Sequence, residues 1–276
     1  MGLGNPIIYD QSLLYGYRPL PNQAVNRFDG SRIKINNLGL RAEEDWDNNI
    51  DDKILFLGDS VTYGGSYIDN KELFSYLSVI KLRKYKSGNA GVNGWGIPNI
   101  YGLLIESNFL PARIYVTTLI RGGFYRGLEK IREGYFYNIK PYCAFLELWQ
   151  YFAYMQNEKR YKKWSAFNKN DKWYVLEKRV KQLKKIDEVL KDRGFKHLIF
   201  LSPSIHQALK GEKNDRIYHE FLKCNLTLFS ITNELNKLNL TDKEKQELFY
   251  DGIHLSKKGH AVWAKIIRAK LEEHIP

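Results

Sequence analysis

The sequence predicts a three-layer α/β/α protein built on a parallel sheet, and three observations carry this prediction. Short runs of apolar and β-branched residues alternate with longer stretches of helical periodicity, which is typical of parallel α/β folds. The apolar runs are continuous, as in strands that are buried on both faces. The first of them ends in Gly58-Asp59-Ser60. Loops at the carboxyl ends of parallel strands are where ligands bind in such sheets, so we expect chemistry there.

The composition fits a globular domain. The chain has 276 residues, of which 43% are hydrophobic and 27% charged, and no apolar run approaches the roughly 20 residues that a bilayer-spanning helix needs. Its first residues lack the basic and apolar parts of a signal peptide. As given, the chain is expected in the cytoplasm. Cys143 and Cys224 are too few for a disulfide framework, so we expect them to be reduced.

The first 50 residues differ in character from the rest. They carry several prolines and no sustained periodicity, which predicts an extended segment that packs on the core of a domain formed by residues 51–276. Within them, Ile33-Lys34-Ile35 indicates a short edge strand. The apolar run over residues 53–57 predicts the first buried strand of the sheet.

Later elements follow the same alternation. Helices are predicted over residues 71–82 and 97–109, separated by a turn-rich segment over 87–96. Strands are predicted over 113–120, 197–201 and 226–231, with an amphipathic helix over 175–190 that stops at Gly194 and a closing helix over 258–273.

An insertion of about residues 122–174 is rich in aromatic side chains and is predicted to be helical. Its aromatic residues include Phe124, Tyr125, Tyr135, Phe136, Tyr137, Trp149, Tyr151, Phe152, Trp164 and Trp173. Aromatic residues at helical spacing usually belong to a core. The alternative is a wall that stacks on a sugar or lines an acyl chain.

The charge of the chain favours anionic partners. It carries 43 Lys and Arg against 31 Asp and Glu, for a net charge of +12. Residues 158–196 contain 14 basic and 6 acidic residues. This stretch is interpreted as a solvated helix face, or as a site for an anionic glycan or a membrane surface. Nucleic acid is not expected, because no zinc-finger spacing or RNA-binding motif occurs.

Two short segments near opposite ends of the chain carry the residue types of a serine hydrolase. Ser60 follows the first predicted strand directly, and Asp251-Gly252-Ile253-His254 precedes the closing helix. A serine hydroxyl becomes a nucleophile when a base removes its proton, and an imidazole held by a carboxylate is the usual base. Each segment alone is also a common turn. Asp59 is expected to support the serine loop.

These segments together resemble the SGNH, or GDSL-type, family of esterases and lipases. The first family motif places the nucleophilic serine directly after Gly-Asp, and the last motif places the acid three residues before the histidine. The resemblance implies a flavodoxin-like sheet, with Ser60 as nucleophile, His254 as base and Asp251 as the acid. The α/β-hydrolase elbow is excluded because position 62 is threonine, where that elbow has glycine.

The resemblance also implies an oxyanion hole, one part of which departs from the family pattern. The backbone N–H groups of Ser60 and Gly94 are the expected donors, although the loop around Gly94 is otherwise only a βα turn. Where the family has Gly-x-Asn-Asp, this chain has Leu119-Ile120-Arg121-Gly122-Gly123-Phe124, so that Gly122 stands at the position of the family's asparagine. The side-chain donor is therefore absent or supplied elsewhere, and Arg121 is one candidate. A structural salt bridge is the other interpretation of Arg121.

The resemblance implies an esterase that removes a small acyl group, acetyl above all, from a carbohydrate. An O-acyltransferase with the same triad and a non-catalytic glycan-binding protein remain alternatives. Residues 17–21 and 36–41 match the Tyr-Arg-Pro-x-Pro and Asn-x-Leu-Gly-x-Arg segments of family members that look like envelope-polysaccharide proteins. Such relatives often carry an N-terminal membrane anchor, so the resemblance implies a location in the cell envelope if an upstream anchor was removed. The expected partner is an acylated carbohydrate or another small ester.

No cofactor or metal is expected in this mechanism. The remaining histidines are His197, His206, His219, His260 and His274, and none has metal-ligand spacing with carboxylates. Each is interpreted as a surface or helix-capping residue.

Overall fold

A computed structural model of the chain describes residues 5–27, 30–131, 136–162, 172–211 and 216–275, without the side chains of 158–162 and 172–173. Its N-terminal segment forms two antiparallel hairpins. The first pairs β1 (Tyr9–Ser12) with β2 (Gly16–Pro19), and the second pairs β3 (Gln23–Asn26) with β4 (Arg32–Ile35). The predicted edge strand at residues 33–35 thus lies in β4, whereas the other three strands were not predicted.

A parallel sheet of five strands forms the centre of the described structure. The strands are β5 (Lys53–Gly58), β6 (Lys86–Asn89), β7 (Ile114–Ile120), β8 (Lys196–Ser202) and β9 (Phe229–Ser230). They lie in the order β6-β5-β7-β8-β9, with every neighbouring pair parallel. This is the flavodoxin-like order, in which the chain reverses direction across the sheet beside its first strand. The predicted fold class is confirmed.

Helices connect the strands and close the chain. They are α1 (Ser60–Tyr63), α2 (Phe74–Val79), α3 (Ile97–Tyr101), α4 (Ala144–Lys162), α5 (Lys172–Asp192), α6 (Ile205–Lys210), α7 (Arg216–Lys223), α8 (Ile231–Lys237), α9 (Asp242–Glu247) and α10 (Lys257–His274). Two 3₁₀ helices (Asn70–Glu72 and Arg121–Tyr125) and one π-helical turn (Gly102–Glu106) complete them. Among the described helices, none has the length and apolar character needed to cross a membrane.

The side chains of the sheet divide between two cores, because successive residues of a strand point to opposite faces. Leu55 and Leu57 of β5 belong to the core that includes residues of α3, α5 and the N-terminal segment. Ile54 and Phe56 belong to the core that includes α2, α8 and α10. Both faces of the sheet are therefore covered. This explains why the strands have continuous apolar sequences rather than alternating apolar and polar residues.

One strand was missed because its residues have little β propensity. Residues 87–96 were predicted as a turn-rich loop, but β6 occupies Lys86–Asn89 with the sequence Lys-Ser-Gly-Asn. A Cβ on Gly88 would lie 2.4 Å from the ring of Trp46, so the N-terminal segment packs directly on this strand. The peptide groups of Arg41 and Asn89 also exchange two hydrogen bonds. Tertiary contacts thus stabilise a strand that local sequence does not indicate.

The aromatic insertion is partly core and partly surface. Phe124, Phe136 and Tyr137 are buried, as the core interpretation predicts. Along α4, in contrast, Phe145 is 76% exposed and Trp149 66% exposed, so the core interpretation is wrong for this helix. Tyr135, Trp164 and the side chain of Trp173 lie outside the described residues.

Two histidines that were interpreted as surface or capping residues are buried. The His197 side chain is fully buried between Asp187 and Thr117. His260 of α10 is also fully buried, stacks on the Phe74 ring, and accepts a hydrogen bond from the Phe74 N–H at Nδ1. Burial, aided by the nearby positive charge of Arg41, lowers the pKa of His260 to about 3.

His260 should make the protein less stable as the pH falls. A histidine in the unfolded chain binds a proton below about pH 6.5, whereas the folded protein keeps His260 neutral. Stability is therefore full above pH 6.5 and falls below it, by roughly 2 kcal/mol between pH 7 and pH 5. The check is urea unfolding at both pH values. We expect His260→Asn to lose this contribution and His206→Asn, an exposed control, to keep it.

Candidate active site

The first segment of the site is the turn from β5 into α1. Gly58 ends the strand with φ +156°, and a Cβ there would lie 2.1 Å from Thr62 Oγ1, so only glycine fits. The buried Asp59 caps the helix, since its Oδ1 accepts a hydrogen bond from the Val61 N–H at 2.9 Å. Ser60 is the first residue of α1, where backbone N–H groups have no partner within the helix. The serine is thereby fixed at the carboxyl end of the sheet.

The second segment is the loop before α10. Asp251 Oδ1 accepts hydrogen bonds from the backbone N–H groups of Ile253 and His254, both at 2.8 Å. Its other carboxylate oxygen lies 2.7 Å from His254 Nδ1. One carboxylate therefore shapes the turn and orients the imidazole ring, which accounts for the three-residue spacing.

The fold brings the two segments together. His254 Nε2 lies 2.8 Å from Ser60 Oγ, although the two residues are 194 positions apart in sequence. The side chains of Ser60, His254 and Asp251 form one continuous hydrogen-bonded line. The arrangement has the geometry that activates a serine hydroxyl, because the imidazole is held at one nitrogen and faces the hydroxyl with the other.

The two carboxyl groups of the site have different environments. Burial acts to raise the pKa of Asp251, but hydrogen bonds from the His254 and Ile253 N–H groups and from the His254 ring outweigh it, so this pKa is lowered. Burial raises the pKa of Asp59, and the positive charge of Arg126 offsets only part of that effect. Asp251 therefore remains ionised beside the imidazole at neutral pH.

A cavity of about 440 Å³ opens beside Ser60 and His254. Its wall is formed by Gly65, Ser66, Tyr67, Asn93, Gly94, Phe136, Tyr154 and Met155. Phe136, Tyr154 and Met155 belong to the 122–174 insertion. The positions of these three residues are thus compatible with the interpretation of the insertion as a wall beside a ligand site.

The glycine-rich loop after β6 lies in the same cavity wall. Gly94 has φ +86°, and a Cβ there would lie 2.9 Å from the Tyr17 hydroxyl. That hydroxyl donates to the carbonyl oxygen of the neighbouring Asn93 at 2.6 Å. The N-terminal segment therefore holds the loop that was expected to supply an oxyanion donor, and this role of Gly94 stays a prediction.

The segment that departs from the Gly-x-Asn-Asp pattern of the family forms a 3₁₀ helix. Arg121 begins this helix and is not among the described residues that line the Ser60 cavity. A Cβ on Gly122 would meet nothing closer than Ile120 Cδ1 at 3.8 Å, whereas one on Gly123 would lie 4.0 Å from Asp59 Oδ2. Of the two glycines, Gly123 is the one whose side-chain direction meets the serine loop. The suggested role of Arg121 as an oxyanion donor stays a prediction.

Asparagine substitutions at the two glycines should differ in effect. If the oxyanion hole lacks a side-chain donor, Gly123→Asn should raise kcat for an unactivated ester, by up to about 10²-fold for a well-placed amide. Gly122→Asn, whose Cβ would be in ordinary contact with Ile120 Cδ1 at 3.8 Å, is the matched control and should change kcat little. Steady-state kinetics of both variants checks this. A gain only in Gly122→Asn would show that the donor position was assigned to the wrong glycine.

Sequence reasoning missed Arg126, which contacts the serine loop. Its Nη1 lies 3.4 Å from Asp59 Oδ2 and donates to the Trp95 carbonyl oxygen at 2.8 Å. Arg126 thus connects the loops that follow β5 and β6. It belongs to no motif, and the sequence held no signal that separates it from the other arginines of the chain.

The basic stretch lies on a different part of the surface. Of its described side chains, Lys178, Lys181 and Lys185 of α5 line a second cavity, of about 370 Å³, together with Tyr101 and Tyr174. Side chains 158–173 lie outside the described residues. Binding of an anionic glycan or a membrane surface through this stretch stays a prediction. Within the described residues, no group of three or more His, Cys, Asp or Glu side chains is placed to hold a metal ion.

Comparison with known proteins gives structural matches only. No family model and no curated protein matches the chain. Similar solved structures include a lipolytic protein of the G-D-S-L family from Veillonella parvula, 16% identical over 81% of this chain and 97% of that chain, with a TM-score of 0.44. A lipase/acylhydrolase from Enterococcus faecalis is 12% identical over 80% and 96%, with a TM-score of 0.48.

A third similar structure is a catalytic mutant of an acetylxylan esterase from Geobacillus stearothermophilus. It is 14% identical over 82% of this chain and 96% of that chain, with a TM-score of 0.45.

Proposed function

We propose that the chain is an SGNH-type serine esterase that removes a small acyl group, acetyl above all, from a carbohydrate. The observation that carries this proposal is the line from Asp251 through His254 to Ser60, with contacts of 2.7 and 2.8 Å, at the mouth of a cavity. A hydrogen-bonded network that only stabilised the fold would not need a cavity beside it. Here the serine oxygen lies where a substrate carbonyl can reach it.

In the proposed reaction, Ser60 Oγ attacks the ester carbonyl carbon while its proton passes to His254 Nε2. The resulting tetrahedral intermediate carries a negative oxygen. His254 then gives the proton to the departing alcohol oxygen, and an acyl-serine remains. A water molecule repeats the sequence and releases the carboxylic acid. Asp251 stays ionised throughout and stabilises the imidazolium that forms in each half-reaction.

The negative oxygen of the intermediate needs hydrogen-bond donors. The Ser60 N–H at the start of α1 and the Gly94 N–H in the opposing loop are the proposed pair, because both residues line the cavity. The helix start adds a favourable partial charge, although a helix of four residues contributes little. A hole of two backbone donors is one donor short of the family pattern, which favours slow hydrolysis of unactivated esters.

Aromatic rings in the cavity wall support a sugar as the alcohol part of the substrate. Tyr67, Phe136 and Tyr154 line the cavity beside Ser60. Sugars commonly stack their C–H faces on aromatic rings. None of the described residues that line the cavity is an Asp, Glu, Lys or Arg. A neutral acylated carbohydrate therefore fits it better than a charged ester does.

A covalent probe tests the proposal most directly. We expect a fluorophosphonate to label the wild-type chain at Ser60, as located by peptide mass spectrometry, and the labelled chain to lose esterase activity. Wild-type protein is then screened against acetylated oligosaccharides, with acetate release as the readout. Acyl transfer to an added sugar without acetate release would favour the O-acyltransferase. Absence of labelling, together with retained glycan binding, would favour the non-catalytic glycan-binding alternative.

A further inference from the structure

Arg41, from the N-terminal segment, is buried beneath the wall of the Ser60 cavity. Only 3% of the residue is exposed. Its guanidinium donates hydrogen bonds to the carbonyl oxygens of Tyr63 at 2.8 Å and Gly65 at 2.6 Å, to that of Ile68, and to Asn70 Oδ1 at 2.9 Å. One side chain therefore holds four points of the segment formed by residues 63–70, here called the clamp segment.

The charge of Arg41 is held by neutral oxygens. No carboxylate of the described residues forms an ion pair with it within 4 Å, and burial lowers the pKa of the guanidinium. A buried cation is costly, and it remains charged only where its donors are satisfied. The rigid planar fork of an arginine can reach several separated acceptors at once, whereas a lysine ammonium cannot. Such an arrangement fixes the backbone that supplies the acceptors.

The clamp segment belongs to the candidate active site. Gly65, Ser66 and Tyr67 line the cavity. Tyr67 also reaches the loop that carries the catalytic candidates, since its hydroxyl donates to the Leu255 carbonyl oxygen at 2.9 Å and its ring stacks on Tyr250 at 4.0 Å. The segment thus spans the distance between the end of α1 and the loop that contains His254.

We propose that Arg41 is a positioning residue that sets the shape of the substrate cavity by fixing the clamp segment. The proposal rests on the proposed esterase function. It gives the N-terminal segment a function in substrate binding, because Arg41 lies in that segment and its hydrogen-bond acceptors lie in the domain formed by residues 51–276. Loss of the Arg41 hydrogen bonds should weaken binding of the substrate. The Ser60–His254 pair should continue to react, because the Arg41 side chain forms none of its hydrogen bonds with either residue.

The test compares Arg41→Lys with Arg113→Lys, an arginine on the surface whose side chain is about half exposed. In Arg41→Lys we expect KM for a short-chain aryl ester to rise about tenfold, the loss expected when charge-assisted hydrogen bonds are removed, with kcat within about threefold of wild type. Fluorophosphonate labelling should stay stoichiometric. Arg113→Lys should match wild type in all three measurements. An unchanged KM in folded Arg41→Lys overturns the proposal.

A purely structural role would give a different result. Loss of folded protein lowers kcat per mole of chain and the labelling stoichiometry, and it leaves KM unchanged. If Arg41→Lys does not fold, Asn70→Ala decides the matter, because it removes one acceptor of Arg41 and leaves the three carbonyl contacts. It also removes the two hydrogen bonds that join the Asn70 side chain to the Lys34 backbone, which are further contacts between the N-terminal segment and the clamp segment. There we expect a KM rise of about threefold, and an unchanged KM would overturn the proposal. Failure of the esterase function itself is recognised separately, by wild-type protein that neither turns over the ester nor reacts with the probe.

Discussion

Ser60→Ala and His254→Ala should each lower kcat for a short-chain aryl ester by about 10⁴-fold or more, with the fold intact. The alanine at position 60 removes the atom that attacks the carbonyl. The alanine at position 254 removes the base that lies 2.8 Å from that atom. Both side chains are partly exposed at the cavity, so neither truncation opens a hole in the core. Steady-state ester hydrolysis by the purified variants measures the effect on kcat, and circular dichroism shows whether each variant is folded.

The variant that combines both substitutions tests whether Ser60 and His254 act as one catalytic unit. Groups that act as one unit are not additive, so Ser60→Ala combined with His254→Ala should be no slower than either single variant. His206→Ala is a suitable control, because His206 is exposed and is not among the described residues that line the cavity. Wild-type rates in either single variant would exclude the proposed triad.

Asp251→Asn should also be severe, by about 10²- to 10⁴-fold in kcat, and for a reason specific to this loop. Asp251 Oδ1 accepts from two backbone N–H groups, so an asparagine keeps its carbonyl oxygen there and turns its NH₂ group toward His254 Nδ1. The imidazole must then carry its proton on Nε2. That nitrogen faces Ser60 and is no longer able to accept the serine proton.

The pH profile separates this tautomer effect from a loss of loop structure. Because its pKa is lowered, Asp251 stays ionised as the pH falls from 8 to 5, and protonation of the imidazole alone should reduce kcat/KM toward acid. Asp251→Asn should reduce activity across the whole range while the unfolding free energy changes little. A variant that is slow only because it is unfolded would instead lose near-UV circular dichroism. A flat wild-type profile from pH 5 to 8 would exclude histidine as the base.

The N-terminal segment shows why sequence pattern alone was insufficient for part of the fold. Its four strands are short and pair within hairpins, so neither a period of two nor an apolar run is long enough to indicate them. Gly88 lies in a strand because Trp46 packs on it from 42 positions away. The insertion was equally ambiguous, because an aromatic residue at helical spacing is compatible with a core, as at Phe136, and with an exposed face, as at Trp149.

The sequence by itself determined the layer architecture and the three residues of the hydrogen-bonded line. Buried parallel strands leave a continuous apolar run, and the turns after β5 and before α10 each need a fixed local sequence, so both features are local. Only the tertiary structure decided which groups surround that line. Arg41, Tyr67 and Arg126 reach the site through contacts with residues far away in the sequence. Tyr67 and Arg126 belong to no motif, and the motif that ends at Arg41 does not indicate what its side chain contacts. Such contacts depend on how the elements pack, so a local sequence pattern does not predict them.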